Sequence, residues 1–167
     1  MATELTDKGF CATKKLHYYG VKVHVLGLKR HGTIPFPQYI EVTPASVHDL
    51  AALKNTLEQT VADACVLDKA YADTELSKQM LKSNNSILLT PLKDKKGWEA
   101  IFKQREQAFN DLFNTAVAIV RQPIESLFNW INELTQIQNA SKVRSSNGLK
   151  LHLYGKLTAA LLIMADV

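Results

Sequence analysis

The stretch from Ala64 to Tyr71 constrains the fold of this chain more than any other part of it. Four small or apolar residues end abruptly at Asp68, and a helix-start signal follows at Asp73 and Thr74. This pattern predicts a short buried strand that ends in a carboxylate. Because functional groups in open α/β sheets collect beyond the carboxyl ends of strands, Asp68 is the first candidate for a functional residue. The alternative is that Asp68 only forms a turn or caps the next helix.

The segments before this stretch predict a hairpin and a helix. Hydrophobic residues alternate from Tyr18 to Leu28, with three valines on one face, which indicates a half-buried strand. Two prolines precede a second predicted strand from Gln38 to Thr43, and we expect these two strands to pair. Ser46 is the expected N-cap of a helix that leads to the strand before Asp68. The apolar stripe of this helix comprises Leu50, Leu53, Leu57 and Val61.

The segments after this stretch predict one more strand and then mostly helix. The helix that begins at Asp73 or Thr74 is expected to end at Asn84 and Asn85. An apolar strand from Ile87 to Leu89 follows it, which implies parallel pairing with the strand before Asp68. A mostly helical region covers about residues 98–137, and Pro123 either kinks this helix or starts a new one. An apolar segment over residues 149–164 is typical of a packed closing helix.

The composition is that of one ordinary folded domain. The 167 residues are 46% hydrophobic and 22% charged, so we expect a single domain over residues 1–167 with C-terminal helices from about residue 98. The chain has neither a signal-peptide pattern nor an apolar run of the ~18 residues that a membrane span needs. We therefore expect a cytoplasmic location and no membrane partner. The two cysteines lack the spacing of zinc ligands.

A second carboxylate supports a functional role for Asp68. Glu125 lies 57 residues later, in a helical segment that also carries Arg121 one turn before it. Paired carboxylates in phosphoryl-transfer sites hold Mg²⁺ or Mn²⁺, and such a site usually needs a third carboxylate. Arg121 would orient Glu125 or bind a phosphate through two parallel hydrogen bonds. The alternative is a surface ion pair between Arg121 and Glu125 that contributes about 0.3–0.5 kcal/mol.

Basic residues suggest contact with a polyanion. The net charge is +4, and the basic side chains flank a more acidic centre between Glu41 and Glu75. Side chains of this kind could neutralise DNA phosphates, although dispersed lysines are often only a solvated surface. His17, His24 and His31 need not converge, so we expect no histidine metal site. The candidate DNA-binding residues are Lys14, Lys15, Lys22, Lys93, Lys95, Lys96, Lys142 and Arg144.

Four short motifs in a fixed order carry a resemblance to a known family. They are Lys14 to His24, Thr43 to Asp49, Leu67 to Tyr71, and Arg121 to Glu125. Together they resemble the bacterial insertion-sequence transposases of the DDE type, over nearly the whole chain. The resemblance implies an α/β fold with a ribonuclease-H-like mixed sheet and flanking helices. It also implies DNA transposition by metal-dependent cleavage and strand transfer at insertion-sequence ends, with double-stranded DNA as the partner.

The resemblance implies roles for three residues. Asp68 corresponds to the second catalytic acid, Glu125 to the third, and Arg121 to the arginine of the Arg-x-x-x-Glu motif. The two acids would bind Mg²⁺ or Mn²⁺. The longer form of this motif has a tyrosine and a lysine where this chain has Ala118 and Asn132, so the assisting roles of those two positions are not carried over.

The first acid of the family is expected to lie upstream of this sequence. Asp7 falls in the segment that would connect the family's first strand to the strand of Tyr19, so we do not expect Asp7 to replace that acid. A missing first strand would leave unpaired backbone groups beside the Val66 strand, which favours a homodimer or aggregation. We expect strand cleavage by this chain alone to be weak or absent. The alternative function is a catalytically inactive remnant that binds DNA or an intact transposase.

A nucleotide-binding or cofactor-binding α/β enzyme is a rival from another class. In such an enzyme Asp68 would contact a ribose or a metal. That function needs a glycine-rich phosphate loop, and none of the seven glycines forms one. Salt-dependent DNA affinity without nucleotide affinity would separate the two functions.

Overall fold

The structure is a computed structural model that describes residues 4–11, 15–57, 63–92, 97, 99–140 and 143–165. It divides into two compact units, the first formed by Met1–His48 with Ile124–Val167 and the second by Asp49–Pro123. The elements in chain order are β1 (Asp7–Cys11), β2 (Leu16–Leu28), β3 (Phe36–Pro44), α1 (Asp49–Leu57), β4 (Ala64–Val66), a 3₁₀ turn (Lys69–Tyr71), α2 (Thr74–Asn84), β5 (Ile87–Leu89), α3 (Ala100–Thr135) and α4 (Ser146–Ala165).

The first unit contains an antiparallel three-stranded sheet in the order β1, β2, β3. The predicted hairpin of β2 and β3 is confirmed, with Val23 opposite Val42 and a register shift between Leu26 and Gly27. The valine face of β2 packs on apolar clusters built around Leu127 of α3 and around Leu149 and Leu153 of α4. The alternation in β2 therefore marks the buried face of this sheet, as expected from its sequence.

Strand β1 is not predicted by its sequence pattern, because its five residues do not alternate between apolar and polar types. It pairs antiparallel with β2, with Asp7 opposite Gly20. A Cβ atom on Gly9 would lie 2.7 Å from the ring of Tyr18 and 2.8 Å from Cβ of Ala45, so only glycine fits this position. The close approach of Tyr18 and Ala45 therefore explains the glycine at this position of β1.

The second unit contains a parallel pair of short strands, as predicted. Cys65 of β4 lies opposite Leu88 of β5, and the two strands are joined through α2. Residues of β4, α1 and α2 form one buried apolar cluster, and burial raises the pKa of the Cys65 thiol. The members of this cluster are Leu53, Cys65, Leu67, Leu76 and Met80.

The ends of α2 lie where the sequence predicts them, whereas the start of α1 does not. Asp73 is the N-cap of α2, and Asn85 closes the helix in the left-handed conformation with φ of 51°. Helix α1 begins at Asp49, so the prediction of Ser46 as its N-cap is wrong. The Ser46 hydroxyl instead donates to the carboxylate of Asp7, which lowers the pKa of Asp7 together with the backbone N–H of Lys8.

Helix α3 continues through Pro123 as one helix of 36 residues. Proline lacks an N–H group, so the carbonyl of Ile119 loses its usual helical donor, but the helix neither ends nor restarts there. The mixed α/β architecture, with antiparallel and parallel sheets and flanking helices, confirms the predicted fold class and is compatible with a ribonuclease-H-like fold. The expected absence of the family's first strand stays a prediction.

Candidate functional site

Asp68 lies where β4 ends, as the sequence predicts. The backbone N–H of Leu67 donates to the carbonyl of Leu89 at 2.9 Å, which extends the pairing with β5 to the residue before Asp68. The Asp68 carbonyl accepts from the N–H of Tyr71 at 3.0 Å and so begins the 3₁₀ turn. Within the described part of the chain, the Asp68 side chain makes no capping hydrogen bond to that turn. The alternative that its carboxylate serves as a helix cap is therefore wrong.

The Asp68 carboxylate instead forms an ion pair with Arg121. Nη1 of Arg121 donates to Oδ2 of Asp68 at 2.7 Å, across 53 residues of sequence. The Asp68 side chain is 50% exposed and that of Arg121 is 30% exposed. The distance is that of a charge-assisted hydrogen bond, in which an ionised donor shortens and strengthens the contact. Two of the predicted site residues are thus in direct contact within the second unit.

One side of α3 carries Arg121 and attaches this helix to the second unit. Asn114, two turns before Arg121, accepts from the N–H of Leu92 at 2.7 Å through Oδ1. Asn110 and Val117 are buried on the same side of the helix. These four positions recur every three or four residues, so they form one stripe along α3. Arg121 thus lies on the side of α3 that contacts the rest of the second unit, where its guanidinium reaches Asp68.

Glu125 lies one helical turn after Arg121 in the same helix. The continuous helix through Pro123 allows the two side chains to lie on one face, as predicted. Glu125 is exposed, and it belongs to the first unit, whereas Asp68 and Arg121 belong to the second. A metal site shared by Asp68 and Glu125 stays a prediction.

Tyr71 is a residue near the site to which the sequence reasoning assigned no role. Its side chain packs against the buried apolar cluster of the second unit. Burial raises the pKa of Tyr71 to about 12, and the negative charges of Asp49 and Asp68 add to this shift. The position of Tyr71 three residues after Asp68 was a usable signal, because a 3₁₀ turn returns the chain after three residues.

Asp73 has the capping role that Asp68 lacks. Its Oδ1 accepts from the backbone N–H groups of Glu75 at 2.9 Å and Leu76 at 3.2 Å. Lys54 of α1 lies 3.5 Å from Oδ2. The hydrogen bond from Leu76, with smaller effects of Glu75 and Lys54, lowers the pKa of Asp73. Asp73 is therefore a structural residue.

The predicted DNA-binding residues fall into three groups. Lys15 and Arg144 are exposed, and they lie just before β2 and just before α4. The ammonium group of Lys22 donates to the carbonyl of Val47 at 2.9 Å and so supports the turn before α1. The other five lie outside the described residues: Lys14, Lys93, Lys95, Lys96 and Lys142.

Two of the histidines make contacts of their own. Nε2 of His24 lies 2.9 Å from the hydroxyl of Thr43, and the ring of His17 lies 4.9 Å from the ring of Phe10 between centroids. Among the residues that the structure describes, no three His, Cys, Asp or Glu side chains converge as metal ligands. Of the predicted site, the structure therefore brings together Asp68 and Arg121.

Comparison with protein families confirms the resemblance that the sequence motifs indicate. The family model described as the transposase DDE domain matches residues 2–162, which is nearly the whole chain. The chain belongs to the DDE transposase family. The comparisons with curated proteins and with solved structures give no match.

Membership in the DDE transposase family supports a function in transposition. Transposases of this family act on DNA and generally depend on divalent metal ions. No helix in the described ranges of this transposase domain is long and apolar enough to cross a membrane.

Proposed function

We propose that this chain acts in DNA transposition through Asp68, Glu125 and Arg121, with Mg²⁺ or Mn²⁺ as cofactor and DNA as substrate. The supporting observation is the contact of 2.7 Å between Asp68 and Arg121, two residues that the family motifs single out independently. The reaction is phosphodiester cleavage and strand transfer at insertion-sequence ends. Because bacterial DNA lies in the cytoplasm, the proposal includes a cytoplasmic location.

The chemistry of Asp68 fits a divalent cation. Its carboxylate is half exposed, and carboxylate oxygens are the ligands that Mg²⁺ and Mn²⁺ prefer. Because Asp73 caps the following helix, Asp68 is not required for that purpose. Glu125, exposed on α3, would supply the second carboxylate. When bound, the metal supplies an activated oxygen nucleophile and stabilises the leaving oxygen.

Arg121 has two tasks in this proposal. It holds one carboxylate oxygen of Asp68, which fixes the orientation of that side chain. Its planar guanidinium has five N–H donors, so it also suits a DNA phosphate. The Arg121 side chain is partly exposed, so a DNA phosphate could reach its guanidinium and replace Asp68 as its partner.

DNA binding is assigned to the basic side chains that flank the central acidic stretch. Lys15 and Arg144 are the exposed members in the described residues, and the candidates at 14, 93, 95, 96 and 142 are retained. Lys22 is the least accessible candidate because its ammonium group already donates to Val47. Binding through phosphates would weaken steeply with salt.

Strand transfer by the isolated chain is expected to be weak. The family motifs assign two acids of the usual three to this sequence, and a metal that loses a carboxylate ligand is held less tightly. An inactive remnant that only binds DNA is the alternative outcome. The experiments below separate the metal site from DNA binding.

Calorimetric titration with Mn²⁺ tests the metal site. Asp68→Asn and Glu125→Gln should each lower the Mn²⁺ affinity at least about tenfold, since each removes a charged oxygen ligand. Asp111→Asn and Glu133→Gln, which alter exposed acids elsewhere on α3, are the matched controls and should leave the affinity unchanged. Binding that is indifferent to Asp68→Asn and Glu125→Gln in the folded protein would contradict the proposed site.

Fluorescence anisotropy with a labelled duplex tests DNA binding separately. Lys15→Ala and Arg144→Ala should each weaken binding and reduce the slope of log affinity against log salt by about 1. Lys78→Ala is the control, because Lys78 pairs with Glu75 at 2.9 Å on α2. Metal binding without salt-dependent DNA affinity would retain the metal site and reject these residues as the DNA contact.

A further inference from the structure

The N-terminal two-thirds of α3 carries an apolar face that the structure leaves exposed. The side that holds Asn110, Asn114, Val117 and Arg121 is attached to the second unit, and the apolar face lies on the other side of the helix. An amphipathic helix normally buries its apolar stripe, so this arrangement calls for a partner. The large exposed side chains on this face are Ile101 at 79%, Phe102 at 60%, Phe109 at 66%, Leu112 at 75%, Ile119 at 65% and Val120 at 39%.

The face has the spacing of a coiled-coil seam. Starting at Phe102, its central positions recur at intervals of three, four, three, four and three residues. This is the alternation of a and d positions in a heptad repeat, by which two helices pack side by side. We call this set the α3 seam, and it comprises Phe102, Arg105, Phe109, Leu112, Ala116 and Ile119.

We propose that the α3 seam binds the α3 seam of a second copy of this chain, antiparallel, about a two-fold axis between residues 110 and 111. In antiparallel pairs an a residue packs against a d residue of the other helix. This register places Phe109 beside Leu112 of the second copy at the centre. It also places Phe102 beside Ile119 at each end of the seam.

The one charged seam residue favours this register. Arg105 falls beside Ala116 of the second copy, so a long side chain lies over a small one and can extend its guanidinium into water. A parallel pairing would instead place two Arg105 side chains together and two alanines together. The two Arg105 side chains would repel each other, and the two alanines would leave a gap between the helices. The antiparallel pairing avoids both and is therefore favoured.

The borders and the area of the seam fit a pairing of identical chains. Within residues 101–120, all of which the structure describes, the e and g positions of the heptad, which flank the seam, are apolar or neutral except Glu106. These positions are Ile101, Glu106, Ala108, Phe113, Thr115 and Val120. Like charges therefore do not oppose the approach of a second copy. The four exposed apolar side chains of the seam, together with Ile101 and Val120 beside it, offer roughly 700 Å² per chain, close to the roughly 800 Å² per partner of a standard interface.

Mass measurement in solution tests the dimer. Analytical ultracentrifugation of the full chain from 1 to 100 μM (a range of about two decades around a typical weak dimer) should show a species of twice 18.7 kDa. Phe109→Glu with Leu112→Glu should raise the dimer dissociation constant at least about 100-fold, because two charges from each chain, four in all, enter the centre of the interface. Lys103→Glu, exposed on α3 outside the seam, should leave the mass unchanged.

Circular dichroism of each variant confirms that the helices are retained, as expected for substitutions at exposed positions. A chain that stays monomeric at the highest concentration would overturn the proposal. So would a double variant that dimerises as strongly as the unaltered chain, because the dimer would then use another surface.

Cysteine cross-linking tests the register independently. In a chain with Cys11→Ser, Phe102→Cys combined with Ile119→Cys should form disulfides between copies on oxidation, because these positions lie beside each other in the proposed pairing. Within one chain they are about 25 Å apart along the helix, so they cannot bridge internally. Phe102→Cys alone should not cross-link. Efficient cross-linking by Phe102→Cys alone would indicate a parallel pairing and overturn the proposed register.

Discussion

Two aspartates follow β4 five residues apart, and their surroundings differ in a way that the residue type does not reveal. Both precede a helical turn, at the first residue before it. The Asp73 carboxylate accepts hydrogen bonds from two backbone N–H groups of α2. The Asp68 carboxylate instead accepts a hydrogen bond from the guanidinium of Arg121, which lies in α3. A cap satisfies the backbone and stabilises the helix, while an exposed ion pair contributes little to stability. Of these two carboxylates, the one that makes no capping hydrogen bond is the one to which we assign metal binding.

The largest expected effect concerns metal binding, and it would separate the two aspartates most sharply. Asp68→Asn should lower the Mn²⁺ affinity at least about tenfold, whereas Asp73→Asn should change it less than about twofold. Asparagine caps a helix as well as aspartate does, so the second variant keeps its fold. Calorimetry measures both affinities. Equal losses in the two variants would mean that the division between a structural and a chemical aspartate is wrong.

The next effect concerns thermal stability, where the substitution of Asp73 should have a larger effect than that of Asp68. Asp73→Ala should lower the melting temperature by several degrees, because α2 loses its N-cap hydrogen bonds. Asp68→Ala should change it by much less, since an ion pair this exposed contributes about 0–1 kcal/mol. Differential scanning calorimetry measures both midpoints, and Asp73→Asn should restore most of the loss. A larger drop for Asp68→Ala would assign the structural role to Asp68.

The stabilising effect of Asp73 should depend on pH. Its pKa in the folded chain is lowered by the hydrogen bond from Leu76 and by smaller effects of Glu75 and Lys54. A lowered folded pKa means that the stabilisation is complete above the ordinary value of 3.8 and disappears as pH falls through the folded pKa. The melting-temperature difference between the unaltered chain and Asp73→Ala should stay constant from pH 7 to about pH 5 and shrink below about pH 4. A difference that persists undiminished at pH 3 would show that the charge is not involved.

The smallest expected effect is on the pKa of Tyr71, which the negative charge of Asp68 helps to raise. The raised pKa of about 12 stabilises the fold below the ordinary value of 10, and this contribution is lost as pH rises through 12. Ultraviolet titration should therefore show a last tyrosine ionisation step near pH 12. In Asp68→Asn that last step should move to lower pH, although burial keeps it above 10. An unchanged last step would place the Asp68 charge farther from Tyr71 than the structure does.

Local signals in the sequence predicted much of the fold. The alternation in β2, the apolar runs of β4 and β5, and the capping signals at Asp73 and Asn85 all act between neighbouring residues, and each appears at its predicted place. The family motifs likewise singled out Asp68 and Arg121 before their contact was seen. Local pattern fails at β1 and Ser46, because Gly9 fits under Tyr18 and Ser46 donates to Asp7, and both contacts join separate segments.

The sequence by itself therefore determined the elements other than β1, their order, the residue types of the candidate site and the family. Only the tertiary structure decided which carboxylate caps a helix, which one meets Arg121 across 53 residues, and which face of α3 stays uncovered. The physical reason is the range of the forces that act. Periodicity and capping depend on backbone geometry within a few residues. Pairing of charges and burial of a helix face depend on which distant segments arrive beside them.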